Sequence, residues 1–520
     1  MSERDNGPER RLADVPEVGE AEEPQRVSTR AWMGRFLGPL LALAAYFLIP
    51  TGGGLSQAGV ATIAVGVLMA TWWVTEALPL AATALLPIAL FPLFGVVEVG
   101  DATAPYASDT IFLFMGGFMI ALAMQRWGLH RRIALRIVLA VGTQPVRLIG
   151  GFMLATGLLS MWVSNTATAV MMLPIGLSVL ALTMGDGAGE GEDGSDEVSR
   201  LTGSSNFAVA LMLGIAYAAS VGSLATIIGT PPNTFMVEFL DQQYGVQIGF
   251  GQWMLVGLPL AAVFLVVVWV VLTRFVYPPE ISEISGGREL IGDQLRQMGP
   301  ASRGEKVVLT VFLVTALLWI LRQPLSSLPL LGGLEDAAIA IAAAIVLFAI
   351  PVDPRNGVFA LDWQTAVKLP WGVLLLFGGG LSLANGVSET GVDAWIGEGF
   401  SGFTGIPILL FVVLVAAAVV LLTELTSNTA TAAALLPIFG GVAVGLNLDP
   451  MLFVIPAALA ASCAFMLPVA TPPNAIVFGS GYVTIGQMVR AGIWLNIIAI
   501  ILITAAMYAL AGWALGVSFG

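Results

Sequence analysis

A polar segment that contains a proline occurs twice in the chain. Residues 164–175 read SNTATAVMMLPI and residues 427–438 read SNTATAAALLPI, so that nine of twelve positions are identical at a separation of 263 residues. An apolar chain repeats Leu, Ala and Val by chance, but it does not repeat Ser-Asn-Thr-Ala-Thr with a proline at the same offset. The sequence therefore indicates an internal duplication.

Two further pairs of short segments keep their order in both halves. GTPPN at 229–233 follows the first copy as ATPPN at 470–474 follows the second, and FMGG at 114–117 and LFGG at 376–379 precede the two copies. Polar segments interrupted by Gly and Pro, at corresponding positions of two hydrophobic repeats, are typical of the binding site of a transporter.

The composition is that of a membrane protein. The chain has 520 residues, of which 57% are hydrophobic and 11% charged, and its mean hydropathy is +0.90. A water-soluble chain of this length would leave too much apolar surface exposed, so we expect an all-α polytopic protein of the lipid bilayer. The single cysteine, Cys463, excludes a disulfide within the chain. No nucleic-acid partner is expected at a net charge of −13.

A membrane span needs roughly 20 apolar residues. About eleven such segments are predicted, at 36–53, 57–75, 79–97, 110–126, 206–229, 251–277, 305–321, 336–352, 370–387, 451–470 and 487–515. Two longer segments, 146–184 and 405–447, carry the Ser-Asn-Thr motif near their middle. We predict that they are re-entrant hairpins, because irregular backbone at membrane depth is tolerated only against protein or a wet cavity.

The charges of the connections predict the orientation of the two halves. One connection is basic and its counterpart is acidic: Arg126, His130, Arg131, Arg132, Arg136 and Arg147 follow the fourth span, and Glu389, Asp393 and Glu398 stand in the second half. By the positive-inside rule the basic connection faces the cytoplasm and the acidic one the outside. The halves are then inverted copies in the cell membrane, with the N-terminus cytoplasmic, the C-terminus extracellular and both hairpin tips near the bilayer midplane.

The hairpin tips carry neutral polar groups that suit both anions and cations. Ser, Asn and Thr donate hydrogen bonds to carboxylate oxygens and offer oxygen ligands to a hard cation. The helices that begin near Ala167 and Ala430 present unpaired N–H groups and a positive dipole end, so two of them facing each other fit a dianion. Four residues before each motif stands a further hydroxyl, Ser160 or Thr423, which lies on the same helical face.

The Thr-Pro-Pro segments are expected to add carbonyl oxygens. Proline lacks an N–H and clashes with the preceding turn, so the proline pairs at 231–232 and 472–473 are predicted to unwind their spans. This frees carbonyls such as those of Gly229 and Ala470 for Na⁺. A simple kink would also explain one such pair, but the recurrence beside both hairpins favours the site.

The second copy also carries a family signature. The chain reads ASCAF at 461–465 and PVATPPNAIV at 468–477, and with the doubled Ser-Asn-Thr this resembles the divalent anion:sodium symporters over about residues 36–518. The resemblance implies one sodium site from Ser160, Ser164, Asn165 and the Gly229 carbonyl, and a second from Thr423, Thr426, Asn428 and the Ala470 carbonyl. It implies substrate contacts from Ser164, Asn165, Thr166, Thr230, Ser427, Asn428, Thr429, Thr471 and Pro472.

The resemblance further implies an elevator-type transporter that is a homodimer. We expect a disordered cytoplasmic tail at 1–30, scaffold parts at 31–144 and 305–400, a cytoplasmic linker at 278–304, and two halves of a mobile transport domain at 145–277 and 401–520. The hairpins and the broken spans belong to the mobile domain. The acidic loop at 185–204 falls outside the resemblance.

The function expected is Na⁺-coupled import of a divalent anion. Two unaltered Ser-Asn-Thr motifs favour a C4-dicarboxylate such as succinate, malate or fumarate. A Na⁺-independent dicarboxylate or citrate exchanger and a sulfate or citrate symporter are the alternatives, and a passive channel would lack saturable Na⁺ dependence. An enzyme is not expected, since one His, one Cys and no paired intramembrane Asp provide no nucleophile and base.

Two carboxylates lie in or beside predicted spans. Glu424 stands between Thr423 and the second motif, and an intramembrane carboxylate is a functional candidate by default. Its counterpart in the first copy is Met161, so we favour structural hydrogen bonding over proton transfer. Glu76 is expected to be buried, and the sequence assigns it no role.

Overall fold

The computed structural model describes residues 28–52, 54–185, 205–284, 286–329, 331–400, 402 and 407–519. The expected tail at 1–30 lies outside these residues except for its last three positions, and the acidic loop at 185–204 lies outside them except for Gly185. A helix already begins at Thr29. Apart from one short hairpin of strands, the regular structure of the described residues is helical, as the composition predicts.

The first half contains twelve α-helices among the described residues. They are α1 Thr29–Leu48, α2 Gln57–Thr75, α3 Leu80–Thr83, α4 Leu86–Leu93, α5 Val99–Thr103, α6 Asp109–Arg126, α7 Leu129–Val141, α8 Pro145–Ser160, α9 Asn165–Gly185, α10 Asn206–Ser223, α11 Pro231–Tyr244 and α12 Phe250–Val270. Short 3₁₀ turns cover Ala104–Ala107 and Ile227–Gly229, and a π-helical turn, Val271–Val276, continues α12.

The second half is also mainly helical, with thirteen α-helices among the described residues. Its helices are α13 Gly287–Gln297, α14 Arg303–Ile320, α15 Arg322–Ser326, α16 Asp336–Ala349, α17 Trp363–Ala366, α18 Trp371–Glu389, α19 Val392–Phe400, α20 Ile408–Thr423, α21 Asn428–Gly445, α22 Met451–Ala461, α23 Pro472–Gly479, α24 Ile485–Ala506 and α25 Gly512–Leu515. The π-helical turn Met507–Ala511 joins the last two. Strands β1 Pro351–Asp353 and β2 Val358–Phe359 pair antiparallel.

Nine helical segments of the described chain are long and apolar enough to cross a membrane. They are Thr29–Leu48, Gln57–Thr75, Val99–Arg126, Asn165–Thr183, Asn206–Ser223, Phe250–Val276, Trp371–Glu389, Asn428–Gly445 and Ile485–Leu515. Five shorter apolar helices accompany them: Leu80–Leu93, Pro145–Ser160, Asp336–Ala349, Ile408–Thr423 and Met451–Ala461. The predicted all-α membrane fold class is confirmed.

Two predicted spans are not continuous helices. The segment 79–97 forms α3 and α4, with Pro79 before the first and Pro87 in the first turn of the second, where proline is well tolerated because its missing N–H has no helical partner. The segment 451–470 is helical only to Ala461. The predicted linker at 278–304 contains α13.

The duplicated sequence produces a duplicated order of elements. In the first half α8 and α9 are joined by a four-residue tip, and α10 and α11 follow with an unwound segment at 224–230 between them. In the second half α20 and α21 are joined by a four-residue tip, and α22 and α23 are separated by an unwound segment at 462–471. Each motif thus lies where one helix ends and the next begins.

Glycines allow the closest helix crossings near these elements. A Cβ on Gly222 of α10 would lie 2.3 Å from the carbonyl oxygen of Gly157 on α8, so a larger residue would force the hairpin away from α10. On α18, a Cβ at Gly380 would lie 2.7 Å from Phe235 and 2.9 Å from Ala433. The motif-bearing helices α11 and α21 therefore pack closely against α18.

Candidate functional site

The first hairpin tip gathers three oxygen atoms around one hydroxyl proton. Ser160 Oγ lies 2.6 Å from Asn165 Oδ1 and 2.7 Å from the Ala219 carbonyl oxygen. The amide nitrogen of Asn165 donates to Ser223 Oγ at 3.3 Å, which fixes its oxygen towards Ser160. A Cβ on Gly229 would lie 2.2 Å from the Ser223 carbonyl oxygen, so the unwound segment lies directly beside this cluster.

The second hairpin tip repeats the arrangement with different residues. Thr423 Oγ1 lies 2.8 Å from Asn428 Oδ1 and 2.8 Å from the Ala461 carbonyl oxygen. Ser160 and Thr423 are both 0% exposed. The two clusters therefore match in the hydroxyl, the motif asparagine and a carbonyl of the following helix.

Each cluster has more acceptors than protons. The hydroxyl proton can be donated to only one of the two neighbouring oxygens at a time, so lone pairs of the cluster oxygens remain available. A small hard cation could use these oxygen lone pairs as ligands. The hydroxyl and the asparagine at each tip are among the expected Na⁺ ligands, whereas the carbonyls within hydrogen-bond distance are those of Ala219 and Ala461 rather than those of Gly229 and Ala470. The Na⁺ sites themselves stay a prediction.

Thr426 stands apart from the second cluster. Its hydroxyl lies 2.6 Å from Thr431 Oγ1 and donates to the Leu422 carbonyl at 2.9 Å. The first tip has Val163 in the corresponding position, and there Thr168 Oγ1 is buried without a hydrogen-bond partner. The two tips consequently differ at this position although their motifs are identical.

The nine expected substrate residues all line one cavity of about 730 Å³. They are Ser164, Asn165, Thr166, Thr230, Ser427, Asn428, Thr429, Thr471 and Pro472, and Gly229 and Ala470 line it with them. Ser160, Thr423 and Thr426 are buried behind this surface. Residues 263 positions apart in the chain are thus brought to one space.

Four helix N-termini converge on this cavity. The first residues of α9 and α21, Asn165 and Asn428, line it, and so do Pro231 and Pro472, which begin α11 and α23. The first N–H groups of a helix have no acceptor within it and carry a partial positive charge, which favours anions. At α11 and α23 the prolines remove N–H groups, so donors there come from the Thr230 and Thr471 hydroxyls.

The unwound segments are held by the asparagines of the Thr-Pro-Pro-Asn motifs. Asn233 Nδ2 donates to the carbonyls of Leu224 at 3.3 Å and Thr226 at 3.0 Å. Asn474 Nδ2 donates to the corresponding carbonyls of Ala464 at 3.1 Å and Leu467 at 3.0 Å. The spans are unwound beside the proline pairs, as the sequence predicted, and the prolines themselves begin the next helix, because the first turn tolerates proline. The break lies immediately before them.

Glu424 holds the second unwound segment through its carboxylate. Its two oxygens accept hydrogen bonds from the backbone N–H groups of Phe465, Met466 and Leu467 at 2.7 to 3.1 Å. Asn496 Nδ2 of α24 donates to the same carboxylate at 2.7 Å. The structural hydrogen-bonding role that the sequence favoured for this residue is confirmed.

Two contacts join the repeats behind the cavity. Tyr217 of α10 donates from its hydroxyl to the Phe465 carbonyl at 2.7 Å, and Thr230 Oγ1 lies 3.0 Å from Ser462 Oγ. Tyr217 is 0% exposed. The unwound segments of the two halves are therefore fixed to each other.

The opposite wall of the cavity comes from residues outside the motifs. Phe114, Phe118 and Gln125 of α6 line it, together with Lys368 before α18 and Glu76 after α2. Glu76 is exposed and has a φ of +51°. The expectation that Glu76 is buried is wrong, because the chain turns at this residue and presents its side chain to the cavity.

Several site residues carried little or no sequence signal. Ala219 and Ala461 act through carbonyl oxygens, which every residue has. Asn233 and Asn474 were visible as a repeated pair, and their recurrence is the signal that could have identified their role. Tyr217 and Asn496 have no counterpart that a comparison of the repeats would find.

Known proteins resemble this chain over nearly all of its length. A family model described as the sodium:sulfate symporter transmembrane region matches residues 30–515. A sodium-dependent dicarboxylate transporter, SdcS, of Staphylococcus saprophyticus is 42% identical over 487 residues, which are 93% of this chain and 92% of that protein. The protein of the same name from Staphylococcus aureus strain MRSA252 is 42% identical over 493 residues, 94% of this chain and 93% of its own length.

The fold also occurs among solved structures. The crystal structure of the YdaH transporter of Alcanivorax borkumensis superimposes with a TM-score of 0.53 at 12% identity, and the match covers 87% of this chain and 99% of that one. At this identity the likeness concerns the fold alone. The match of the family model over residues 30–515 decides the relationship: the chain belongs to the sodium:sulfate symporters, the family of divalent anion:sodium symporters.

Proposed function

We propose that the protein imports a C4-dicarboxylate dianion together with Na⁺. The observation that carries the proposal is the position of the two oxygen clusters directly behind a cavity wall of neutral donors. Asn165 and Asn428 belong to both, since each side-chain oxygen faces a cluster hydroxyl and each residue lines the cavity. The relatives that are 42% identical are sodium-dependent dicarboxylate transporters by name.

The coupling follows from this shared position. Na⁺ bound at a cluster would fix the asparagine and the helix N-terminus that it begins, so that the cavity is ordered for the anion. A bound dianion would in turn favour Na⁺ through the same residues, because linkage between two ligands is reciprocal. Two Na⁺ sites and a dianion also balance in charge, in a site whose motif residues are neutral.

The cavity is proposed to open towards the cytoplasm. It is lined by Gln125 at the end of α6, where the basic connection with Arg126, Arg131 and Arg136 begins. The positive-inside rule places this end of α6 inside the cell. The N-terminus is then cytoplasmic and the C-terminus extracellular, and the structure corresponds to an inward-open state.

The proposed transport mechanism is an elevator. The mobile body consists of residues 145–277 and 401–520, and the scaffold of 31–144 and 305–400, through which two copies form a homodimer. Small residues line the seam between them: Gly117 of α6 faces Ile228, and Gly380 of α18 faces Phe235 and Ala433. These glycines let the two bodies approach closely at two points, while Phe377 of α18 also lies against Phe235, with 6.5 Å between the ring centroids.

The decisive experiment for the function is uptake by purified protein in proteoliposomes. Labelled succinate should accumulate only with an inward Na⁺ gradient, and unlabelled malate and fumarate should compete. Sulfate competing more strongly than succinate would assign the protein to sulfate, and exchange of internal for external dicarboxylate without Na⁺ would overturn the symport proposal.

Cysteine crosslinking tests the elevator. In a Cys463→Ala background, Gly117→Cys with Ile228→Cys should crosslink in the inward-open state, since a Cβ at Gly117 would lie 3.8 Å from the Cβ of Ile228, a separation that suits a disulfide. Leu113→Cys with Ile228→Cys, one helical turn or about 5.4 Å away, should crosslink when the body moves outward. Na⁺ and succinate should change the ratio of the two products. If only the first pair ever forms and it leaves uptake intact, the sliding mechanism is wrong.

A further inference from the structure

The substrate cavity contains two charged side chains among the described residues that line it. They are Lys368 and Glu76, and neither belongs to a duplicated motif. Both are exposed. The motif residues that line the cavity are neutral, so Lys368 is the one full positive charge that the described wall offers to an anion.

The segment that carries Lys368 is firmly attached to the end of α6. Arg126 at that end forms an ion pair with Asp362 at 2.7 Å, and Trp127 Nε1 donates to the Ala360 carbonyl at 2.8 Å. Asp362 also caps α17 by accepting a hydrogen bond from the Thr365 N–H at 2.8 Å. The backbone before Lys368 is therefore fixed to the wall that we assign to the scaffold.

The Lys368 ammonium group forms no ion pair with a described carboxylate. The pairs formed in the described chain involve Arg126, Arg132, Arg296 and Arg322. Asp362 already forms its ion pair with Arg126. The positive charge of Lys368 therefore faces the cavity without an ion-pair partner among the described residues.

Glu76 is also held in place, and in an unusual backbone conformation. It ends α2 with φ +51° and ψ +38°, a left-handed conformation that disfavours residues with a Cβ. The next residue is tied down, because Arg35 Nε donates to the Ala77 carbonyl at 2.9 Å. A carboxylate maintained in a strained turn at the border of a binding cavity indicates a functional use of that side chain.

We propose that Lys368 is the scaffold contact that recognises the dianion as it enters or leaves the cavity on the cytoplasmic side, and that Glu76 opposes it. The inference rests on the proposed function and deepens it. Lys368 lies on the scaffold and attracts the anion to the cavity. Glu76 weakens this attraction, so that the anion does not stay bound to the scaffold when the mobile body moves. Both are specificity-determining residues for the charge of the substrate, and both act on one face of the membrane.

The test compares the two faces of the protein in proteoliposomes of known orientation. With succinate on the face that bears Lys368, Lys368→Gln should raise the apparent KM about three- to tenfold, as expected for one charge acting on a dianion across a wet, partly screened space. Lys368→Arg should restore the value, and Glu76→Gln should lower it. The KM on the opposite face should stay within a factor of about two, since the residues lie on one side only.

Two further readouts separate a charge effect from a structural one. The difference between wild type and Lys368→Gln should shrink when choline chloride is raised at constant Na⁺, because salt screens exposed charges. Arg355→Gln, which removes an exposed cation from the turn between β1 and β2, is the matched control and should leave both KM values unchanged.

The outcomes distinguish this inference from the proposed function. If the wild type shows no Na⁺-dependent succinate uptake, the proposed function fails. If the wild type transports and Lys368→Gln leaves the KM on its own face unchanged, or raises it equally on both faces and independently of salt, the scaffold contact is refuted. A rise of KM in Glu76→Gln would refute the opposing role of Glu76.

Discussion

The two hairpin tips build the same oxygen cluster but brace it with different chemistry. At the first tip, the Met161 carbonyl accepts a hydrogen bond from Thr226 Oγ1 at 2.5 Å, so that a neutral hydroxyl joins the tip to the unwound segment. At the second tip, Glu424 takes the position of Met161, and its carboxylate accepts hydrogen bonds from three consecutive N–H groups of the unwound segment and from Asn496.

The comparison shows which residues both tips have in common and which hydrogen-bonding groups differ between them. The hydroxyl, the asparagine and the helical carbonyl recur at both tips, as the proposed pair of equivalent Na⁺ sites would require. The groups that hold the unwound segments, Thr226 at the first tip and Glu424 at the second, do not recur, since any group that forms hydrogen bonds with the freed backbone polar atoms is sufficient. At the second tip the Glu424 carboxylate makes these hydrogen bonds, whereas at the first tip neutral groups such as the Thr226 hydroxyl make them.

The largest effect is expected when the Glu424 carboxylate, which holds the second unwound segment, is removed. Glu424→Ala leaves three backbone N–H groups and Asn496 without their acceptor, which should lower the free energy of unfolding by about 3–5 kcal/mol and abolish uptake. Glu424→Gln keeps one acceptor oxygen and should fall between. Thr226→Val removes the neutral brace of the first tip and should cost about 1 kcal/mol. Thermal unfolding of the purified protein without Na⁺ measures all three, and equal losses at both tips would contradict the comparison.

The next effect concerns the part that the tips share. Asn165→Ala and Asn428→Ala each remove an oxygen from a cluster and a donor from the cavity, so both should abolish succinate uptake. Both should also reduce the rise of the unfolding temperature that Na⁺ causes, because at a given Na⁺ concentration a ligand with a larger Kd stabilises the folded state less. Asn356→Ala, in the exposed turn between β1 and β2, is the control. Normal Na⁺ dependence in both cluster variants would remove the asparagines from the ligand set.

Acidification tests whether the charged brace takes part in transport. The neutral donors of the cavity favour a dianion, and the second carboxyl pKa of succinate lies above that of an isolated carboxyl because its proton leaves an anion. Uptake per total succinate should therefore fall several-fold between about pH 7 and pH 5, in step with the dianion fraction. An increase at acid pH would instead indicate proton coupling, with Glu424 as the first group to examine.

The smallest effect comes from exchanging the position at which the tips differ. Thr426→Val makes the second tip resemble the first and leaves Thr431 without its partner, which should lower stability by about 1 kcal/mol. Val163→Thr supplies a partner for the buried hydroxyl of Thr168 and should raise stability slightly. If Thr426 also binds Na⁺, only the first exchange lowers Na⁺ affinity. An unchanged Na⁺ affinity in Thr426→Val would exclude Thr426 as a ligand.

The sequence predicted the parts of the site that depend on side-chain identity. Ser164, Asn165 and their second copies were recognisable because polar residues recur in an apolar chain, and the structure places them on one cavity. The helix breaks were predicted beside the proline pairs and lie directly before them; the length of each unwound segment could not be predicted, because the sequence does not show that the prolines occupy the first turn of the next helix.

Other parts of the site depend on geometry that one sequence does not encode locally. The carbonyl oxygens of Ala219 and Ala461 enter the clusters through the way α10 and α22 pack against the hairpins. Lys368 and Glu76 reach the cavity from segments without a duplicate, so a comparison of the repeats passes over them. The segment 79–97 was apolar enough for one span, yet its prolines divide it into two short helices.

The single thiol of the chain lies in the unwound segment that Glu424 braces. Cys463 is 0% exposed, and its sulfur donates to the Leu459 carbonyl at 3.3 Å. Water-soluble thiol reagents should therefore leave the folded protein unlabelled as long as this segment stays closed. The rate at which a thiol-reactive fluorescent dye labels Cys463 would therefore measure how often this segment opens, and the wild-type chain carries this reporter beside the second hairpin tip.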